Sequence, residues 1–206
     1  MLKILGINCS PRVAKSTSQA LAICLQAAQE ASPDITVEQI ELGQLKINGC
    51  LNCGHCRKEI SCPQQDDFHQ LRDKLLEPGL AGLIFASPVF FGGITSQGKA
   101  VIDRTIIFRR NGNRLRHLTG GGLVTAGSRN GGQETTLHAI LNFLLIHDMT
   151  VVSDGFDTSH YGAALWNQGG IEKDETGLKT ARNLGRRVAE ACLGKAGPDD
   201  KKRNKK

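Results

Sequence analysis

Residues 81–88 read Ala81-Gly82-Leu83-Ile84-Phe85-Ala86-Ser87-Pro88, an apolar run that stops abruptly at a serine and a proline. A strand that is apolar on both faces is typical of the centre of a parallel sheet, where helices cover both sides. Leu2 to Ile7 form a second apolar run, and it also leads into a loop rich in serine and proline. The two runs together predict a buried parallel sheet.

Strand and helix patterns alternate on both sides of this run. Further strands are predicted at 36–40, 122–126 and 150–153, and helices at 17–33, 68–76, 97–108, 133–147 and 172–192. Five strands alternating with helices describe an open, doubly wound α/β sheet. In such sheets the ligand binds beyond the carboxyl ends of the strands.

The formal net charge of +6 belongs largely to one end of the chain. Five basic residues occupy the last six positions: Lys201, Lys202, Arg203, Lys205 and Lys206. We therefore expect one domain over 1–196, a disordered basic tail over 197–206, and no nucleic-acid partner. The first apolar run breaks at Gly6 and Asn8, too early for a signal peptide or a membrane helix, so we expect a cytoplasmic protein without a membrane partner.

The loop after the first strand carries hydroxyl groups and an arginine, and it opens directly into a helix. Its candidate ligands are Ser10, Arg12, Ser16, Thr17 and Ser18. Hydroxyls, an arginine and the N–H groups at a helix N-terminus suit a phosphate group. Neither the G-x-G-x-x-G fingerprint nor a Walker A loop is present. A helix that is simply capped by a serine or threonine is the alternative.

Two more loops follow strands of the same predicted sheet. The loop after the third strand holds Pro88, Val89, Phe90, Phe91 and Gly92. It suits a rigid apolar wall for a flat ring, although one phenylalanine could instead pack in the core. The loop after the fourth strand holds Gly127, Ser128, Arg129, Gly131, Gly132 and Gln133. Arg129 and Gln133 could bond the polar edge of a flavin, so the three loops match FMN better than a nicotinamide dinucleotide.

Four cysteines lie close together between the second strand and the second helix. Their spacing is Cys50-x2-Cys53-x2-Cys56-x5-Cys62, with Pro63 behind the last one. This run within 48–66 matches the ligand pattern of a 4Fe–4S cluster. Structural zinc remains the alternative, with His55 and His69 as further ligands, whereas disulfides do not suit a reducing compartment. Cys9, Cys24 and Cys192 need no special role.

These motifs resemble those of the iron–sulfur flavoproteins, within the wider group of NAD(P)H-dependent FMN reductases. The resemblance runs from the first strand to about Glu190 and is carried by Ser10-Pro11-Arg12, the cysteine run, Ser87 to Gly92, Lys99 with Asp103-Arg104-Thr105, and Gly127 to Glu134. It implies a flavodoxin-like sheet and one FMN and one 4Fe–4S cluster per subunit. It also implies homotetramers built as dimers of dimers, with each cluster near a neighbour's flavin. Cys9 and Val13 to Ser16 depart from the pattern.

By this resemblance, the first loop would bind the FMN phosphate and the other two loops would line the isoalloxazine ring. The expected function is an FMN-dependent oxidoreductase that passes electrons between flavin and cluster, with ferredoxin or a nicotinamide as donor and oxygen, peroxide or a quinone as acceptor. We expect no catalytic side chain. An NAD(P)H-dependent FMN or quinone reductase with structural zinc, and a non-catalytic electron carrier or redox sensor, are the alternatives.

Overall fold

A computed structural model describes residues 1–195 and contains one parallel sheet with helices on both faces. Its strands are β1 (Leu2–Asn8), β2 (Ile35–Glu41), β3 (Leu80–Pro88), β4 (Thr119–Ala126), β5 (Thr150–Val151) and β6 (Ala163–Trp166). The strand order β2-β1-β3-β4-β5 is that of the flavodoxin-like doubly wound sheets. The predicted fold class is confirmed, whereas residue 196 and the predicted tail at 197–206 lie outside the described residues.

The fifth position of the sheet is filled by two short strands instead of one. β5 pairs with Thr119 and Gly120, whereas β6 pairs with Leu123–Ala126 farther along the same edge of β4. The other edge of β4 is occupied by β3. The sequence predicted only the first of the two strands, because the Asp154-Gly155 turn interrupts the pattern and four residues are too few to show a period.

The α-helices of the described residues are α1 (Ser16–Glu30), α2 (Phe68–Leu75), α3 (Ser96–Arg104), α4 (Ile106–Arg110), α5 (Gln133–Ile146) and α6 (Glu175–Lys195). The prediction of a single helix at 97–108 is therefore wrong, since the segment is divided into α3 and α4 at Thr105. The Thr105 hydroxyl donates to the Ile102 carbonyl over 2.6 Å, a local bond that competes with continuation of the helix.

Each face of the sheet carries its own hydrophobic cluster. Alternate residues of a strand point to opposite faces, so Ile84 joins a cluster with α1 and α6 while Leu83 joins one with α2 to α5. The helices α1 and α6 approach so closely that Gly185 faces the Cys24 carbonyl without room for a side chain. In the described part of the chain, no helix has both the length and the apolar character needed to span a bilayer.

Candidate functional site

The three predicted loops meet at the carboxyl edge of the sheet. The Thr17 hydroxyl, at the start of α1, lies 2.6 Å from the Thr125 hydroxyl at the end of β4. The Val89 N–H donates to the Thr125 carbonyl over 2.8 Å, which joins the second loop to the same strand end. A Cβ atom added at Gly132 would lie 3.0 Å from the Cα atom of Gly92, so the third loop packs directly on the second.

The first loop leaves the start of α1 open to a ligand. The Ser10 N–H donates to Asn8 Oδ1 over 3.0 Å, and the Arg12 N–H donates to the Ser10 hydroxyl over 3.1 Å, which folds the loop into a tight turn. Lys15 occupies the N-cap position, and its side chain makes no capping hydrogen bond. The alternative of a serine- or threonine-capped helix is therefore wrong. The first N–H groups of α1 remain available to an anion, and Arg12 of the same loop is exposed.

The hydroxyl groups at the start of α1 fall into two sets. Thr17 and Ser18 are buried, and the Ser18 hydroxyl donates to Glu41 Oε1 over 2.6 Å, so these two residues fix the start of the helix. The Ser16 hydroxyl instead accepts a bond from Asn167 Nδ2 over 2.7 Å. Within residues 1–195 its own hydrogen has no acceptor, which makes Ser16 the hydroxyl best suited to a phosphate oxygen.

The second loop is a tight turn that presents two aromatic rings to solvent. The N–H groups of Phe90 and Gly93 donate to each other's carbonyl oxygens over 2.9 and 3.0 Å. The central residues Phe91 and Gly92 have φ angles of +49° and +75°, as a type I′ turn requires. Phe91 is fully exposed and Phe90 is half exposed, so the alternative that one of them packs in the core is wrong. A bulky residue held in the left-handed region is strained, and such strain is common at functional sites.

The third loop is shaped by one of the residues predicted to touch the ligand. Gln133 is buried, accepts a bond from the Gly131 N–H over 2.7 Å and donates to the Ser128 carbonyl over 2.8 Å. Its amide group therefore holds the loop together. Arg129 is exposed and lies over the Trp166 ring at 5.1 Å, a cation–π contact that places its charge at the rim of the site.

Two residues outside the ligand set predicted from the sequence come from the end of β6. Asn167 bonds Ser16 in the first loop, and Trp166 lies beneath Arg129 of the third loop. The Trp166 Nε1–H is buried and has no hydrogen-bond partner within residues 1–195. A buried unpaired donor is costly, and FMN is rich in acceptor oxygens, so this edge of the sheet fits that cofactor. A strand of four residues gave no sequence signal for these positions.

The four cysteines are brought together beside α4. Cys50, Cys53, Cys56 and Cys62 line one cavity, together with Arg104 and Arg110. Asn52 and Gly54 adopt positive φ angles of +49° and +81°, and these turns bend the short segment around the cavity. No group of three His, Cys, Asp or Glu side chains among the described residues is arranged to hold a metal ion. Four thiols and two guanidinium groups around one cavity fit an anionic iron–sulfur cluster, whose thiolates bind separate iron atoms.

Two hydrogen-bond donors already point at cysteine sulfur atoms. The Asn52 N–H donates to Cys50 Sγ over 3.4 Å, and Arg110 Nη1 donates to Cys56 Sγ over 3.1 Å. Donors of this kind stabilise thiolates and tune iron–sulfur clusters. The histidines of the zinc alternative are engaged elsewhere, since His55 Nε2 lies 2.8 Å from the Ser61 hydroxyl and His69 Nδ1 lies 2.6 Å from the Asp66 carbonyl.

A buried ion pair anchors the base of the cysteine segment, residues 48–66. Arg104 of α3 bonds Asp66 at the far end of the segment and also donates to the Asn48 carbonyl over 3.3 Å. Burial alone would raise the pKa of Asp66, but the bonds from Arg104 and from the N–H groups of Asn48 and Phe68 outweigh it and lower the pKa below its usual value. The buried Arg104 Nε has no partner in the part of the chain that the structure covers.

Comparisons with known proteins identify the family of the chain. The family model described as NADPH-dependent FMN reductase matches residues 2–163. An iron-sulfur flavoprotein of Methanocaldococcus jannaschii is 41% identical over 191 residues, which are 92% of this chain and 96% of the relative. An iron-sulfur flavoprotein of Methanosarcina thermophila is 32% identical over 189 residues, which are 92% of this chain and 94% of the relative.

Structural similarity gives the same fold. The solved structure of a flavone reductase superposes with a TM-score of 0.68 and 21% identity, covering 95% of this chain and 65% of that structure. Similarity at this identity shows the fold alone, whereas the family follows from the sequence matches. The chain therefore belongs to the NADPH-dependent FMN reductase family and, within it, to the iron–sulfur flavoproteins.

Proposed function

We propose that the chain is an electron-transfer flavoprotein that holds FMN in the three loops and a 4Fe–4S cluster in the four cysteines. The observation that carries the proposal is the presence of two separate built sites. One is the carboxyl edge of the sheet with its open helix start, and the other is the cavity lined by all four cysteines. When bound, FMN exchanges one or two electrons and the cluster exchanges one at a time.

Different residues at the sheet edge would bind different parts of FMN. The N–H groups of the first turn of α1, the Ser16 hydroxyl and the Arg12 guanidinium would hold the phosphate. Phe90 and Phe91 would cover one face of the ring system and shield it from water. Arg129 would place a positive charge near the polar rim of the site, where it favours a reduced, anionic ligand.

The residues of the cysteine segment would hold the cluster and set its surroundings. Cys50 and Cys53 are exposed whereas Cys56 and Cys62 are partly buried, so the cluster would lie at the protein surface. A surface position lets a one-electron carrier such as ferredoxin approach it. Reduced nicotinamide is the alternative donor, acting directly at the flavin, and oxygen, peroxide or a quinone would be the acceptor.

Assembly into homotetramers is proposed on exposed apolar side chains outside the three loops and the cysteine segment. Leu145 and Ile146 of α5, with Phe156 and Tyr161 of the loop after β5, are more than half exposed. Large exposed apolar side chains favour contact between protein surfaces. Sedimentation of the wild type, and of a variant with Leu145→Ser and Ile146→Ser, tests the assembly. A monomeric wild type would overturn it.

The cluster and flavin are tested by purification without oxygen and assay of iron, acid-labile sulfide and FMN. We expect about four iron atoms, four sulfides and one FMN per chain. Cys53→Ser should lose iron and sulfide but keep FMN, because the two sites are built from different segments. Cys24→Ala, which removes a buried thiol from α1, is the matched control and should keep all three. Zinc without sulfide in the wild type would contradict the cluster.

A further inference from the structure

The end of α4 contacts Cys56 through two neighbouring side chains. Arg110 Nη1 donates to Cys56 Sγ over 3.1 Å, and Asn111 Nδ2 donates to the Cys56 carbonyl over 3.0 Å. Asn111 Nδ2 also donates to the Ile107 carbonyl over 2.8 Å, which ties this clamp back to α4. The helix therefore holds both the backbone and the sulfur atom of this cysteine.

The two arginines at the cavity are not equivalent. The Arg104 charge is paired with the buried carboxylate of Asp66. Arg110 has no carboxylate partner among residues 1–195, and it is the side chain that donates to a cysteine sulfur. Its positive charge is therefore uncompensated by an acidic group and is applied directly at a ligand position.

Such a contact favours the more negative oxidation state of a cluster. Each electron that enters an iron–sulfur cluster increases the negative charge carried by the cluster and its thiolates. A donor that is itself positively charged bonds the more negative form more strongly. Hydrogen bonds to the sulfur atoms are among the main determinants of cluster potential.

We propose that Arg110 is a positioning residue that raises the reduction potential of the cluster. It does so through the hydrogen bond that its guanidinium donates to the Cys56 thiolate. The inference rests on the proposed function, since it needs a cluster on the four cysteines. One residue outside the cysteine segment would thus adjust the reduction potential of the cluster without changing that of the flavin.

The test is an equilibrium redox titration with dithionite and mediator dyes, in which the cluster is followed by electron paramagnetic resonance and FMN by absorbance. Arg110→Gln removes the charge, and we expect the equilibrium constant for one-electron reduction to fall about tenfold, which is about 59 mV. The FMN potential should not change. Arg109→Gln, the same change at the adjacent exposed residue, is the matched control and should leave both potentials near the wild type.

Arg110→Lys supplies a second measurement, because lysine keeps the charge but lacks the fixed fork of the guanidinium. We expect its cluster potential to lie between those of Arg110→Gln and the wild type. A cluster potential at or above the wild-type value would overturn the proposal, in either variant that still holds its cluster. Loss of iron from both variants would also overturn it, since Arg110 would then serve retention of the cluster. Absence of iron and sulfide from the wild type would instead defeat the proposed function.

Discussion

Arg104 and Asp66 form an ion pair whose two side chains are almost completely excluded from solvent. The pair joins α3 to the end of the cysteine segment, and the Arg104 guanidinium lies 4.2 Å from the centre of the Phe68 ring. Removing one partner of a buried pair leaves an uncompensated charge. Asp66→Asn should therefore lower the free energy of unfolding by about 3 to 5 kcal/mol, measured by urea denaturation.

The control for this prediction is an exposed pair on the same helix. Lys99 and Asp103 bond each other one turn apart with both side chains largely in water. Asp103→Asn should cost less than about 1 kcal/mol, because exposed ion pairs contribute little. Equal losses in Asp66→Asn and Asp103→Asn would show that burial of the Arg104 pair does not stabilise the cysteine segment.

His147 makes the stability of the protein depend on pH. It is buried with Nε2 2.8 Å from the Thr105 hydroxyl, and Nδ1 has no partner in the described residues. Burial, with a smaller effect of the Arg109 charge, lowers the pKa of His147 from 6.5 to about 4. Between these values the unfolded chain binds a proton that the folded chain does not. The free energy of unfolding therefore keeps its full value above pH 6.5, where the histidine is neutral in both states. It decreases by about 3 kcal/mol as the pH falls to 4.

Thermal unfolding between pH 4 and 7 measures this effect. His147→Gln should flatten the dependence of stability on pH within that window, because the titrating group is gone. His138→Gln, at an exposed position on α5, is the control and should retain the wild-type slope. A His147→Gln variant with an unchanged slope would assign the pH dependence to other groups.

Phe91 is held in a backbone conformation that its side chain disfavours. The type I′ turn requires a positive φ at this position, and asparagine before glycine is the preferred pair in such turns. Phe91→Asn should stabilise the fold by about 1 kcal/mol, since the ring is exposed and its burial is not lost. It should also weaken FMN binding several-fold, because an aromatic wall is removed.

The two effects of Phe91→Asn have opposite signs, so they separate a binding role from a folding role. Calorimetry of the apoprotein gives the stability, and FMN titration gives the affinity. Phe156→Asn, at an exposed phenylalanine outside the three loops, is the control for affinity and should bind FMN as the wild type does. Unchanged FMN affinity in Phe91→Asn would remove this ring from the site.

Trp166 is the single tryptophan of the chain and lies at the proposed FMN site, so its fluorescence reports binding. FMN added to the apoprotein should quench it. Arg12→Ala should raise the dissociation constant about ten- to hundredfold, because a charge-assisted bond to the phosphate is lost. Arg182→Ala, at an exposed position on α6, is the matched control. Wild-type affinity in Arg12→Ala would place the phosphate elsewhere.

Most of the secondary structure could be predicted because it depends on local patterns. The apolar run at 81–86 lies within β3, and the helical spacing after Thr17 corresponds to α1. The break between α3 and α4 was missed because it depends on one hydroxyl bond at Thr105 within an otherwise helical pattern. The strand β6 was missed because its pairing with β4 comes from the tertiary fold and not from its own four residues.

The sequence by itself determined the fold class, the three strand-end loops and the spacing of the four cysteines, since each depends on residues close together in the chain. Only the tertiary structure decided which atoms of those loops remain free for a ligand. Asn167 bonds Ser16 across 151 positions, and Arg110 bonds Cys56 across 54. Such pairs depend on how helices pack on the sheet, and no local period records them.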